Sequence, residues 1–204
     1  MDVAILLFDG FDELDAIGPF EVLENAANAG ADLETTLCTL DGASEVTASH
    51  GLRVGADATL DAAADGGLDL LLVPGGGWTD PDSPGVRREY DSGAIPDAIA
   101  DLHADGATIA SVCTGAMLLS KAGVLDDRPA ATHAAAETDL RDTTADVRDA
   151  RVVDDGDVLT CGGVTSGLDL AVHIVAREFG DAIAEQVTTE MEYEPTSDVS
   201  RSHD

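Results

Sequence analysis

Apolar and polar positions divide the chain into short apolar runs and longer segments with helical spacing. Residues 3–8, VAILLF, form a continuous apolar run that ends at Asp9-Gly10. A run of this length, bounded by a turn signal, is typical of a strand that is buried on both faces. The pattern predicts strands at residues 3–8, 33–40, 68–77 and 107–113. Helical spacing predicts helices at residues 12–30, 93–106, 114–125, 133–142 and 168–191.

Strands that alternate with helices indicate an α/β fold. We expect a single domain over residues 1–192, built as a flavodoxin-like sandwich with a mainly parallel central sheet and helices on both faces. Residues 45–57 predict a small accessory β-hairpin. Residues 193–204 are polar and are expected to form a frayed tail. The first helix is expected to be interrupted at Gly18-Pro19.

Parallel strands bring their carboxyl ends to one edge of the sheet, and ligands bind outside that edge in such folds. Three loops leave predicted strands there: residues 9–19, 74–80 and 113–116. We therefore expect the functional residues of the chain to lie in these loops.

Acidic residues greatly outnumber basic ones, 41 against 10, which gives a formal net charge of −31. The chain is still 44% hydrophobic, so it is not a disordered polyanion. Acidic residues spread along the whole chain predict a salt-adapted, halophilic protein, and binding of basic partners is the alternative. The acidic surface opposes nucleic-acid binding. The N-terminus, MDVAILLFDGF, has no basic region and is too short to span a membrane, so we expect a cytoplasmic protein.

The three cysteines, Cys38, Cys113 and Cys161, are widely spaced and form no CxxC pair. This pattern argues against a disulfide framework and against a structural zinc site. His50, His103 and His203 also lack metal-ligand spacing. The glycine motifs of nucleotide-binding loops are missing from the sequence, so no nucleotide cofactor is indicated.

Cys113 stands where a predicted strand ends and a predicted helix begins, in the stretch TIASVCTGAMLL. A side chain at such a turn projects clear of the backbone, as in a nucleophile elbow. The amides of a helix N-terminus would lower the thiol pKa from about 8.5 to between roughly 3.5 and 7.5. The alternative is a small buried residue of the core, and position alone does not decide between the two. For Cys38 and Cys161, within or at the end of strands, the core interpretation is favoured.

Candidate partners for Cys113 lie in the other two loops. Asp15 follows the first strand, and a carboxyl group close to a thiolate should have its pKa raised, which suits an acid–base catalyst. Asp12 and Glu13 are better explained as acids at a helix N-terminus, and for Asp15 spacing alone leaves both roles open. The VPGGG loop at 73–77 offers amides that could bind a developing negative charge together with that of Thr114.

The sequence does not decide the roles of two further residues. His133 precedes a predicted helix and is either a second polar group of the pocket or an ordinary hydrogen-bonded histidine. Trp78, the only tryptophan, follows the glycine loop and either walls the pocket or serves packing.

Four segments together resemble the ThiJ/PfpI superfamily, also described as class I glutamine amidotransferase-like: LLFDGFDELDAIGPFEVL, DLLLVPGGG, SVCTGAMLLSKAGVLDDRPAATH and VLTCGGVTSGLDLAVHIVAREFG. Within it the chain is most similar to isonitrile hydratases and to the amidotransferase-like half of certain AraC-type regulators. Protease and deglycase members typically carry glutamate in the first motif, where Asp15 stands here, and proteases carry histidine where Thr114 follows Cys113. Hydratases commonly have an aromatic residue after the motif histidine, whereas Ala134 follows His133 here.

The resemblance implies a hydro-lyase that hydrates an isonitrile to an N-substituted formamide. Cys113 would be the nucleophile, Asp15 the acid–base group and Thr114 a pocket residue, while the amides of Gly75 and Gly76 would position the adduct. The resemblance also implies a homodimer, a small-molecule substrate, and no metal or organic cofactor.

Two alternatives remain. One is a glyoxalase or deglycase that acts on α-oxoaldehydes, also through a cysteine. The other is a non-enzymatic sensor of oxidants or small molecules, in which Cys113 forms a sulfenic acid.

Overall fold

The apolar runs form the inner strands of one sheet in the computed structural model, which describes residues 1–196 and 198–201. The strands are β1 Asp2–Leu7, β2 Glu34–Thr39, β3 Glu45–Thr47, β4 Arg53–Gly55, β5 Ala58–Thr59, β6 Leu70–Val73, β7 Thr108–Ser111, β8 Pro129–Ala130, β9 Asp146–Val147, β10 Val152–Asp154, β11 Val158–Cys161 and β12 Val199–Arg201. The helices are α1 Glu13–Asn28, α2 Leu60–Ala63, α3 Val86–Ser92, α4 Ala94–Ala104, α5 Ala116–Lys121, α6 Glu137–Arg141, α7 Ser166–Phe179 and α8 Asp181–Glu190.

Eight strands of the described chain form the main sheet, in the order β12-β10-β11-β7-β6-β1-β2-β5. Neighbouring strands are parallel except β10 and β11, which form an antiparallel hairpin. Helices α1, α7 and α8 pack together, and α3, α4 and α5 form a second group. Strands β3 and β4 form the small accessory hairpin. The predicted fold class is therefore confirmed.

Helix α1 continues through Pro19, so the expected interruption at Gly18-Pro19 was wrong. A proline inside a helix removes one backbone hydrogen bond, and its ring clashes with the Cβ of the preceding residue. Gly18 has no Cβ, which relieves that clash. Gly18 also packs closely on α7, since an added Cβ would lie 3.2 Å from Leu168 Cδ2. This packing compensates for the lost hydrogen bond.

Two predicted helices differ from the structure, and two short helices, α2 and α3, were not predicted. The helix expected from residue 114 begins as a 3₁₀ turn over Cys113–Gly115 and continues as α5, and only α6 forms within 133–142. Helix α3 lies in a segment rich in Asp, Pro and Ser, a composition typical of loops. Its Tyr90 ring packs edge-on against Trp78, with ring centroids 5.3 Å apart. Tertiary packing thus stabilises a helix that local sequence does not indicate.

The C-terminal segment also differs from the frayed tail expected over 193–204. Val199–Arg201 pairs in parallel with β10, and the Thr196 amide donates to Asp169 Oδ1 at 2.8 Å. The segment is therefore attached to the sheet and to α7. Its strand covers β10, which would otherwise be an unpaired edge of the sheet. Residues 197 and 202–204 of this tail, with His203, lie outside the described residues. Within the part of the chain that is described, no helix is both long and apolar enough to cross a membrane.

Candidate active site

Loops from four strands meet at the carboxyl edge of the sheet. β1, β6, β7 and β11 are mutually parallel, so the segments that follow them leave the same edge. The Asp12 amide donates to the Gly75 carbonyl at 2.8 Å, which joins the first two loops. The Cys113 amide donates to the Gly162 carbonyl at 3.0 Å, which joins the other two. The three predicted loops therefore converge, and a fourth loop after β11 joins them.

Cys113 adopts a strained backbone conformation at the turn from β7 to the 3₁₀ turn. Its φ is 59°, in the left-handed region that non-glycine residues rarely occupy. The Thr132 hydroxyl donates to the Cys113 carbonyl at 2.9 Å and helps hold this geometry. Gly115 permits it, since an added Cβ there would lie 2.5 Å from the Val73 carbonyl oxygen. The predicted elbow is therefore present, with restraints from three parts of the chain.

The Cys113 thiol lies at the bottom of this edge, with 5% of the residue exposed. Burial raises the pKa of the thiol to about 12, and the negative charge of Asp15 adds to this shift. Hydrogen bonds from the amides of Val164 and Thr114 act in the opposite direction and favour the thiolate. The expectation of a lowered pKa was wrong. It considered the helix terminus alone, whereas the surrounding loops exclude water from the sulfur.

Asp15 projects from the first turn of α1 and is completely buried. Burial raises its pKa from 3.8 to about 7, and the charge of Asp12 contributes further. The Gly75 amide donates to Asp15 Oδ2 at 2.9 Å and, with the Cys113 thiol, partly offsets this shift. Oδ1 has no partner in good hydrogen-bonding geometry among the described residues. The raised pKa agrees with the sequence prediction, but burial rather than a nearby thiolate is its main cause.

The backbone amides of Gly75 and Gly76 form hydrogen bonds to Asp15 and Thr114 within the site. The Gly76 amide donates to Thr114 Oγ1 at 2.9 Å, and the Gly75 amide is already bonded to Asp15. A Cβ on Gly75 would lie 2.6 Å from the Thr114 amide nitrogen and 2.9 Å from Asp15 Oδ2, so only glycine fits. Both amides are thus engaged before any substrate binds. Their expected part in holding an adduct stays a prediction.

His133 and Trp78 occupy different parts of the surroundings. His133 is half-buried and lies against the fourth loop, where a Cβ on Gly163 would lie 2.4 Å from its Cδ2. Its Nδ1 accepts from the Ala135 amide at 3.0 Å, which leaves Nε2 as the donor in a neutral ring. Trp78 is buried, and its Nε1 donates to Asp139 Oδ2 at 2.6 Å. Packing and this hydrogen bond explain why Trp78 is buried.

Sequence reasoning missed the amide of Val164. Val164 has a φ of 34° and directs its N–H to the Cys113 sulfur. The sequence CGGVTSG shows a glycine pair after an apolar run, but only the structure shows that this strand runs parallel to β7. The position of β11 beside β7 was not predicted.

One group of side chains has the spacing of cation ligands. Asp12, Glu13 and His50 bring one ligand atom each within 4.8 Å of one another. These groups already bond within the protein: Asp12 caps α1, and Glu13 Oε2 lies 2.7 Å from His50 Nδ1. An acid at the start of α1 was the expected role of Asp12 and Glu13, and the structure agrees with it.

The arrangement combines a nucleophile with a nearby proton donor. Cys113 and Asp15 act on each other's charge, so they lose their protons as a coupled pair. When the pair holds one proton, it is either a thiol with a carboxylate or a thiolate with a carboxylic acid. With pKa values of about 7 for Asp15 and about 12 for Cys113, the thiol with a carboxylate is the main form, and the amides of Val164 and Thr114 stabilise the second, reactive form. This site can add sulfur to a small electrophile and protonate the product.

A family model for the DJ-1/PfpI family matches residues 1–177. The chain is 32% identical to an isonitrile hydratase of Pseudomonas putida over 195 residues, which cover 96% of this chain and 79% of that protein. It is 30% identical to a deglycase of Thermococcus kodakarensis over 156 residues, which cover 76% of this chain and 86% of that protein. A crystal structure of a ThiJ/PfpI family protein from Pseudomonas syringae superposes with a TM-score of 0.83 at 28% identity, covering 95% of this chain and 75% of that one.

Proposed function

The chain belongs to the DJ-1/PfpI family, and on that premise we propose that it is a cysteine-dependent hydro-lyase that hydrates isonitriles to N-substituted formamides. Similarity to the Pseudomonas putida isonitrile hydratase over nearly the whole chain supports the proposal. The Asp15-x-x-Gly-Pro motif and the Thr114 that follows Cys113 also resemble that class.

The observation that carries the proposal is the buried Asp15 carboxyl with a pKa of about 7, beside the Cys113 elbow. Hydration of an isonitrile needs a group that first gives a proton and then takes one. A carboxyl group that is about half protonated near neutral pH serves both steps well. An ordinary surface aspartate would be fully ionised and could not give the proton.

In the first step, the Cys113 thiolate attacks the terminal carbon of the isonitrile, and a carbon–sulfur bond forms. The carbon accepts the proton of Asp15, which becomes a carboxylate. The product is a thioimidate in which the former isonitrile carbon is bonded to sulfur, hydrogen and nitrogen. The amides of Val164 and Thr114 favour the thiolate that starts this step.

In the second step, the Asp15 carboxylate takes a proton from water as the water oxygen adds to the thioimidate carbon. The nitrogen takes that proton from Asp15, the hydroxyl group of the adduct gives its proton back to Asp15, and the carbon–sulfur bond breaks, so that Cys113 leaves as a thiolate. The product is the N-substituted formamide, and the pair returns to its starting protonation state with one water consumed.

The narrow access to Cys113 fits this substrate class. Only 5% of the residue is exposed, which favours a small electrophilic carbon over a bulky one. The reactive carbon of an isonitrile is the end of a linear group, and it needs space only along its own axis. A carbonyl carbon has two substituents and needs more room.

The direct test is an assay of purified protein in high salt with cyclohexyl isocyanide, with formamide production as the readout. High salt is used because the net charge of −31 predicts strong self-repulsion at low ionic strength. We expect turnover by the wild type, none by Cys113→Ala, and wild-type rates for Cys38→Ala, which removes a buried thiol on β2. Formamide production by Cys113→Ala would reject the nucleophile assignment.

A deglycase or glyoxalase activity is the second candidate, and the Thermococcus kodakarensis deglycase relative favours it. Methylglyoxal conversion to lactate without glutathione, in the same preparations, distinguishes the two. Lactate without formamide would replace the hydratase proposal. Failure of both substrates, together with oxidation of Cys113 by peroxide, would favour the sensor role.

We also propose a homodimer in a salt-rich cytoplasm. Leu14 and Leu52 support an interface, because they are the large apolar residues most exposed among those described, at 37% and 49%. Light scattering of the wild type and of a Leu14→Asp, Leu52→Asp double variant tests this: a dimeric wild type and a monomeric variant are expected. A monomeric wild type would contradict it.

A further inference from the structure

A second cysteine lies directly behind the nucleophile. Cys161, the last residue of β11, is completely buried, and the backbone amide of Cys113, which donates to the Gly162 carbonyl, is close enough to the Cys161 thiol to lower its pKa. The proposed hydration does not use this thiol. All three cysteines of the chain are free thiols.

Cys161 and Cys113 lie at the carboxyl ends of neighbouring strands, β11 and β7. Thr160 pairs with Ser111 in the register of β11 and β7, so the next residues, Cys161 and Val112, share a face. That face carries α7, because a Cβ on Gly167 would lie 3.1 Å from Val112 Cγ1. Helix α1 packs on α7. The Asp15 carboxyl of α1 acts on both thiols, so both lie within reach of the same charge.

Backbone spacing also suits a bond between them. Cys161 is in register with Val112, so Cys113 lies one residue further along. A strand spacing of about 4.8 Å and a rise of about 3.3 Å per residue put the two Cα atoms roughly 6 Å apart, within the range of roughly 4.4–6.8 Å that a disulfide requires. The Cys113 amide donates to Gly162, the residue after Cys161, so the two backbones remain adjacent at this point.

We propose that Cys161 is a resolving thiol, and that Cys113 and Cys161 form a reversible disulfide when a hydroperoxide oxidises Cys113. The Cys113 thiolate attacks the outer peroxide oxygen, the O–O bond breaks, and the departing alkoxide or hydroxide takes a proton. Cys113 is then a sulfenic acid. The Cys161 sulfur attacks the Cys113 sulfur, the S–O bond breaks, and hydroxide leaves with the Cys161 proton as water. Two thiols and one hydroperoxide give one disulfide, one alcohol or water, and one water.

The electrostatics of the pair couple the second step to the first. Burial raises the pKa of Cys161 well above its ordinary value, and the charges of Asp15 and Cys113 raise it further. Oxidation to a sulfenic acid removes the charge on Cys113. The Cys161 thiolate is therefore easier to form only after Cys113 has been oxidised. The resulting disulfide protects Cys113 from irreversible oxidation to the sulfinic acid.

Mass spectrometry of the full-length protein tests the proposal. The wild type is treated with one equivalent of hydrogen peroxide, denatured, alkylated and digested without reductant. We expect the protein to lose two hydrogen atoms, the peptides of Cys113 and Cys161 to be crosslinked, and Cys38 alone to be alkylated. Dithiothreitol should restore all three thiols.

Two single variants sharpen the test. Cys161→Ala should gain oxygen atoms at Cys113 and resist reduction by dithiothreitol, whereas Cys38→Ala should form the same crosslink as the wild type. Alkylated Cys161 beside an oxygenated Cys113 in the wild type would overturn the proposal, and so would an unreacted Cys113. The readout is independent of isonitrile turnover, so this inference and the proposed function can fail separately.

Discussion

Two acidic side chains in the first turn of α1 are two residues apart and have opposite properties. Partial burial would raise the pKa of Glu13, but hydrogen bonds from His50, from its own backbone and from Ser49 outweigh it and lower the pKa to about 2. Burial and the charge of Asp12 raise the pKa of Asp15 to about 7, and the Gly75 amide offsets only part of this. One acid faces the β3–β4 hairpin, and the other faces the interior.

The difference shows that position at a helix terminus does not determine what an acid can do. Both residues give the same sequence signal, an acid where the helix dipole favours negative charge. Loops distant in sequence determine the number of donors that each carboxylate receives. Glu13 receives enough to remain ionised in strong acid, whereas Asp15 Oδ1 has no well-placed donor among the described residues and holds a proton near neutrality. Only the second can act in proton transfer.

The largest expected effect follows from removing the inner acid. Asp15→Asn keeps the size of the side chain and can still accept from the Gly75 amide, but it cannot give a proton. We expect kcat/KM for isonitrile hydration to fall about 10²–10⁴-fold, the usual contribution of general acid–base catalysis. Glu13→Gln, the matched change on the outer side, should keep wild-type kcat/KM. A loss of less than a few-fold in Asp15→Asn would remove Asp15 from the mechanism.

The same variant should change stability in a pH-dependent way. Because folding raises the pKa of Asp15 from 3.8 to about 7, its contribution to stability is fully present below pH 3.8 and is lost as pH rises through 7. Asp15→Asn should therefore gain stability relative to the wild type over that window, as measured by urea unfolding. An unchanged difference between pH 4 and pH 8 would contradict the raised pKa.

A smaller effect is expected from removal of the negative charge of Asp12. Asp12 raises the pKa of both Asp15 and Cys113. Asp12→Asn removes this charge and keeps the helix cap, because asparagine caps helices about as well as aspartate. Both limbs of the pH profile of kcat/KM should move to lower pH, with a loss of only a few-fold at the optimum. An unshifted profile would show that Asp12 does not tune the pair.

The fold was largely predictable, because apolar runs predict buried strands and parallel strands bring their loops to one edge. This reasoning placed Asp15, Gly75 and Cys113 together without any structure. It could not give the raised pKa of Cys113, since the residues that bury it come from loops whose packing is non-local. Nor could it find the Val164 amide, because the place of β11 beside β7 depends on strand order rather than on the pattern within one strand.

The smallest expected effect comes from a substitution of Glu13, the acid that faces the β3–β4 hairpin. Glu13→Gln removes the charge that accepts the His50 and Ser49 hydrogen bonds, which should cost about 1 kcal/mol of unfolding free energy. Folding lowers the pKa of Glu13 from 4.5 to about 2, so its contribution is present above pH 4.5 and is lost as pH falls towards 2. The pKa of His50 is raised by its bond to Glu13, so the charged pair weakens again as pH rises through the titration of His50. Urea unfolding of the wild type and Glu13→Gln should therefore differ most between about pH 4.5 and 6.5 and converge towards pH 2. Equal differences at every pH would mean that Glu13 stabilises the hairpin through shape alone, and the contrast with Asp15 would then lie in burial rather than in charge.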